Sequence, residues 1–254
     1  MRARHYDEVE RITVAAKPWT YGPKELLEHA RDHLAGTTAF DYRIAMISVD
    51  NAVELAIKTY LGLPIRVRGT AGPPRKVLQA AMGFPDLLDL LEKYGGDRLQ
   101  GIELADIEWY HRVRNTLYHD GNGVTVDPQQ VDAYNQIANL LFQNLFEASV
   151  TPETGPPAAT ILGEFVLKWA ALETHIRSLA AKHLPKRTPA AHSALSLYDG
   201  LIAKGVATPT VRSKFEKLLQ KRNAVLHGVM TLPASQLKEL ISAADEILGT
   251  LPPA

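Results

Sequence analysis

Residues 114–119 read Arg114-Asn115-Thr116-Leu117-Tyr118-His119, and residues 222–227 read Arg222-Asn223-Ala224-Val225-Leu226-His227. Around both hexapeptides the apolar residues recur three and four apart. Ile44, Ile47, Val53, Ala56 and Tyr60 do so before the first, and Leu237, Leu240, Ile241, Ala244, Ile247 and Leu248 after the second. That period is the one a helix needs to bury one face, so the chain is expected to be all-α. Helix starts are expected at Asp127-Pro128 and Thr208-Pro209, where a capping side chain precedes a proline. Stops are expected at Gly62, Gly95, Gly121, Gly205 and Gly228.

The context of the hexapeptide repeats as well. Val53-Glu54-Leu55-Ala56-Ile57-Lys58 in the first half matches Leu172-Glu173-Thr174-His175-Ile176-Arg177 in the second, each with a base four residues after Glu on the same helical face. A glycine follows each hexapeptide, and then a proline-started amphipathic helix. Glu54 precedes Arg114 by 60 residues and Glu173 precedes Arg222 by 49, a difference that a longer loop absorbs. Composition alone would give about 0.015 copies of Arg-Asn-x-x-x-His in a chain of this length. Two copies in matching surroundings point to duplication. The division read from this is residues 1–149 as an N-terminal helical bundle with an extension, a proline-rich linker at 150–159, and a second bundle at 160–254. The irregular stretch Gly62–Arg75 is a long loop inside the first bundle.

Composition excludes more than it selects. The 254 residues carry 28 Lys+Arg against 28 Asp+Glu, so net charge names no partner, and a hydrophobic share of 46% supports a sizeable core. With no cysteine, disulfides, thiolate metal sites and cysteine nucleophiles are excluded. The start of the chain does not read as a secretory signal and no apolar run approaches the roughly 20 residues of a membrane helix, so a cytoplasmic location without membrane contact is expected. Without a glycine loop ending in Gly-Lys-Ser/Thr, nucleotide hydrolysis of the P-loop kind is excluded.

On a helix the Asn and His of each hexapeptide share a face, about 40° apart. Arg222 falls in line with Leu218 and Leu226, and Arg114 with Tyr110 and Tyr118, so each guanidinium leaves from an apolar stripe and requires a partner. Two readings stand: a buried ion pair to Glu54 or Glu173, or a donor fork held for phosphate. The histidines, at helix ends, read either as caps or as proton donors and acceptors. Between Pro209 and His227 stand Arg212, Lys214, Lys217, Lys221 and Arg222 against Glu216 alone, a net charge of +4. That face is a phosphate platform or simply a solvated surface.

These residues resemble the HEPN domain family, whose signature is Arg, a polar residue that is often Asn, three variable positions and His near a helix end. The resemblance covers most of the chain as two copies. It implies two consecutive HEPN-like bundles forming an intramolecular pseudo-dimer, and a metal-independent RNA endonuclease needing no cofactor. Arg114 and Arg222 would hold the scissile phosphate, and Asn115 and Asn223 would orient it or the histidines. His119 and His227 would move protons for 2′-hydroxyl attack, leaving a 2′,3′-cyclic phosphate. A toxin or defence role, a cognate inhibitor or other defence protein as partner, and a homodimer belong to the same resemblance. The tyrosine found two residues after the histidine in members silenced by modification is replaced here by Gly121 and Val229, so that control is not expected. The alternative is a catalytically inactive HEPN-like nucleotide-binding, RNA-binding or scaffold protein, its arginines paired with Glu54 and Glu173.

Three features point elsewhere. His29 and His33 have a metal-pair spacing without a third ligand and read as an exposed helix face. Arg66, Arg68, Arg75 and Lys76 make the long loop an RNA contact or a surface loop with scattered charge. Trp19, Trp109 and Trp169 read as core or interface residues and not as base-stacking platforms.

Overall fold

The computed structural model describes residues 17–81, 83–119, 125–150, 160–184 and 192–254, giving only the backbone of 118 and 119. Eleven α-helices and no strand occur among the described residues. The first half contains α1 (Tyr21–Leu34), α2 (Ala39–Gly62), the short α3 (Ile65–Arg68) and α4 (Arg75–Ala80), α5 (Phe84–Gly95), α6 (Leu104–His119) and α7 (Pro128–Phe146). The second contains α8 (Ile161–His183), α9 (Ala194–Ala203), α10 (Arg212–Leu226) and α11 (Ala234–Gly249). No described helix is long and apolar enough to cross a membrane.

Each half is organised around its longest helix. Apolar side chains on more than one side of α2, among them Ala45, Met46, Val49, Val53, Ile57 and Tyr60, pack against α1, α5, α6 and α7. α8 buries Phe165, Trp169, Leu172, Ile176 and Leu179 among α7, α9 and α11. Because α7 packs on α8, one hydrophobic core runs through both halves. Asp132 of α7 fixes the entry to the second half: its Oδ2 accepts from the backbone N–H of Thr160 at 2.9 Å and from its hydroxyl at 2.6 Å. The Thr160 side chain in turn caps α8 at Gly163.

The local signals behave unevenly. Asp127 caps α7 through Gln129 with Pro128 in the first turn, as its dipeptide predicts. At Thr208-Pro209 the proline opens a 3-10 turn, Pro209–Val211, and α10 starts at Arg212, with no side-chain cap from Thr208. Gly228 ends the turn after α10 at φ 64°, a conformation that favours glycine. The stretch expected as a loop from Gly62 contains the single turn α3. Most of the expected linker, residues 151–159, and the stop expected at Gly121 lie outside the described residues.

Candidate functional site

The two hexapeptides close α6 and α10, and both arginines meet carboxylates that spacing does not indicate. In the second half, Arg222 is 3% exposed and grips Asp106 of α6, itself 1% exposed. Its Nη1 donates to Asp106 Oδ1 at 2.9 Å and its Nη2 to Oδ2, the two-pronged geometry that guanidinium and carboxylate favour. Nη1 also reaches Glu103 Oε2 at 3.2 Å and Asn223 Oδ1 at 3.1 Å. The guanidinium carbon lies 5.6 Å from the ring centre of Trp169. Burial works against the charge on Arg222; Asp106 and Glu103 overcome it, and the guanidinium pKa rises above its usual range. Burial pushes the Glu103 carboxyl up, against the pull of Arg222 and with the repulsion of Glu173 and Asp106 behind it.

His227 joins the same carboxylate. Its Nε2 lies 2.9 Å from Asp106 Oδ1, and its ring stacks on Trp109 of α6 with centroids 5.8 Å apart. The end of α10 is held from α7 too: Gln130 Nε2 donates to the Val225 carbonyl at 2.9 Å, while Gln130 Oε1 accepts from the Tyr110 hydroxyl. Thus Asp106, Trp109 and Gln130 of the first half seat the second motif.

The first motif is served from its own half. Arg114, with 19% of its side chain exposed, places Nε 3.4 Å from Asp50 Oδ2. It donates from Nη2 to Asn51 Oδ1 at 2.8 Å and from Nη1 to Asn115 Oδ1 at 3.0 Å. The fully buried Asp50 also accepts from the Tyr134 hydroxyl and bonds His111 Nδ1, both at 2.9 Å. His111 lies flat on Phe84, with ring centroids 3.9 Å apart.

Several expectations change here. Glu54 does not take Arg114: it is bonded to Lys58, four residues on, and Asp50 is the acid beneath the arginine. Glu173 bonds Arg177, with Arg177 Nε at 2.8 Å, and contributes to Arg222 only a longer-range attraction. Asn115 and Asn223 each accept from their own arginine. The basic face of α10 is half neutralised, Arg212 by Asp199 and Glu216 and Lys214 by Glu246, while Lys217 and Lys221 stay exposed. His33 is bonded to Asp41. Trp169 is core and Trp109 interface, but Trp19 is more than a third exposed.

His227 sits beside Trp109, and the position of His119 lies ten residues farther along α6, about 15 Å at 1.5 Å per residue. An acid and a base serving one phosphodiester must each come within about 3 Å of oxygens on the same phosphorus. Against the second motif lies a cavity of about 380 Å³ between the halves, with Glu103, Asn223, Leu104, Leu219 and Arg177 in its wall. Glu92 and Asp97 add further acid, and Arg177 is already committed to Glu173. Asp50, Asn51, Glu103 and Asp106 were missed in the sequence. For Asp106 the available signal is an acid flanked by apolar neighbours within a helix, Ala105-Asp106-Ile107. Comparison of the chain with protein-family models, with curated proteins and with solved structures finds no match.

Proposed function

We propose that the protein is a HEPN-like helical scaffold, catalytically silent at its doubled motif, in which the second Arg-Asn-x-x-x-His fastens one half to the other. The observation that carries this reading is the burial of Arg222 under the two-pronged grip of Asp106. For that guanidinium to hold a phosphate, Asp106 would have to let go and remain buried without its partner, at a cost of about 3–5 kcal/mol. The cavity alongside is acidic and would repel a phosphodiester. His227, oriented by Asp106 and stacked on Trp109, serves the same fastening.

The rival reading, a metal-independent endonuclease releasing a 2′,3′-cyclic phosphate, needs both histidines at one substrate, and the helical offset between their positions opposes this within one chain. A toxin or defence role belongs to that rival. The two are separated by incubating the full chain with RNA in excess chelator. The scaffold leaves RNA as intact as buffer does, for wild type and for His119→Ala and His227→Ala alike. Cyclic-phosphate ends that disappear in either variant would overturn it.

A further inference from the structure

We propose that the face formed by residues 61–81 docks an acidic peptide segment carrying apolar anchor residues. From Leu61 to Ala81 the chain holds Arg66, Arg68, Arg75 and Lys76 and no acidic residue. Arg68 is turned inward: it donates to the carbonyls of Tyr60 and Leu61 at the end of α2, at 3.4 and 3.2 Å, and to that of Thr70 at 3.2 Å. Gly72 permits this, since a Cβ there would lie 1.4 Å from the Arg68 guanidinium. Arg68 is thus a strut that shapes the segment into a groove of about 710 Å³, walled by Leu61, Leu63, Pro64, Ile65 and Leu78.

What remains outside is basic and apolar together. Arg66, Arg75 and Lys76 are exposed and form no ion pair among the described residues, unlike Arg212 and Lys214 on α10. α4 buries none of its side chains; Ile65 is 64% exposed and Val77 44%. Apolar side chains standing open beside unpaired cations mark a recognition surface and not a solvated one. The cations select a partner's carboxylates, and the apolar walls select its side chains. RNA is disfavoured because no aromatic ring lines the groove to stack a base. A concave groove takes inserted side chains, whereas a membrane surface would meet a flat or convex apolar face.

The test is a random-peptide display selection on the immobilised full chain, followed by affinity measurement. The comparison variant combines Arg66→Glu, Arg75→Glu and Lys76→Glu, all at exposed positions, with an unchanged melting temperature as the folding control. Recovered peptides are expected to be net negative with at least two large apolar residues, to lose about tenfold or more in affinity for the charge-reversed variant, and to weaken with added salt. An Arg66→Lys, Arg75→Lys variant, which keeps the charge, is expected to retain binding. No enrichment, enrichment of neutral or basic peptides, or binding that survives charge reversal would overturn the proposal. So would tighter binding at this face of poly(U) RNA, of phosphatidylserine vesicles or of a second copy of the chain.

Discussion

The same six-residue pattern does different work at the ends of α6 and α10. In both, the arginine donates from Nη1 to the Oδ1 of the asparagine beside it, at 3.0 and 3.1 Å. Beneath Arg114, on the central helix of its own half, stands Asp50. In the register that matches Glu54 with Glu173, the corresponding residue of α8 is Trp169, and Arg222 lies over its ring. Where the first half carries an acid the second carries an aromatic, so the charge on Arg222 is balanced from across the interface by Asp106. The lesson is one of dependence: the first half contains what its motif needs and the second does not.

The largest effect should come from separating the halves. A fragment of residues 1–149 keeps the Asp50–Arg114 cluster and should unfold cooperatively. A fragment of residues 160–254 takes both bonded acids, Asp106 and Glu103, from Arg222 and should lack a cooperative transition by circular dichroism; equal behaviour of the two would remove the asymmetry. Within the full chain, Asp106→Ala strips the buried guanidinium of its two-pronged partner, leaving it only the single contact to Glu103 and that to Asn223, and should cost about 3 kcal/mol in denaturant unfolding. Asp50→Ala should cost less, about 2–3 kcal/mol, because the partly exposed Arg114 can turn towards water while the bonds of Tyr134 and His111 are lost.

The smallest effect concerns Glu103. Its carboxyl pKa is raised in the folded protein, above all by burial, so the native state binds the proton more tightly than the unfolded chain does. The resulting stability is present below the ordinary glutamate range and is lost as pH rises through the raised value. Glu103→Gln, which mimics the protonated form, should flatten that part of the stability profile, with a change below about 1 kcal/mol since the side chain is partly exposed. A profile that keeps its slope in the variant would assign the slope to another group.

The helices were legible because they are written locally, in apolar period and in Asp127-Pro128. The same local logic misled at the arginines. Glu54 and Glu173 each have a base four residues on, and the fold uses that nearest neighbour, leaving neither glutamate to bond the distant arginine. Asp50 and Asp106 are read only once α2 meets α6 and α6 meets α10, because nothing in linear spacing says which buried acid a guanidinium will meet 64 or 116 residues away. Charge counting along α10 likewise could not see Asp199 and Glu246 arriving from α9 and α11 to neutralise Arg212 and Lys214.

A double-mutant cycle between Asp106 and Arg222, read by denaturant unfolding of Asp106→Leu, Arg222→Met and the pair, addresses the inter-half fastener most directly. Each single change should cost several kcal/mol while the double variant returns to within about 1 kcal/mol of wild type, a coupling of at least ~2 kcal/mol. Additive losses with no coupling, or an Arg222→Met protein as stable as wild type, would contradict it.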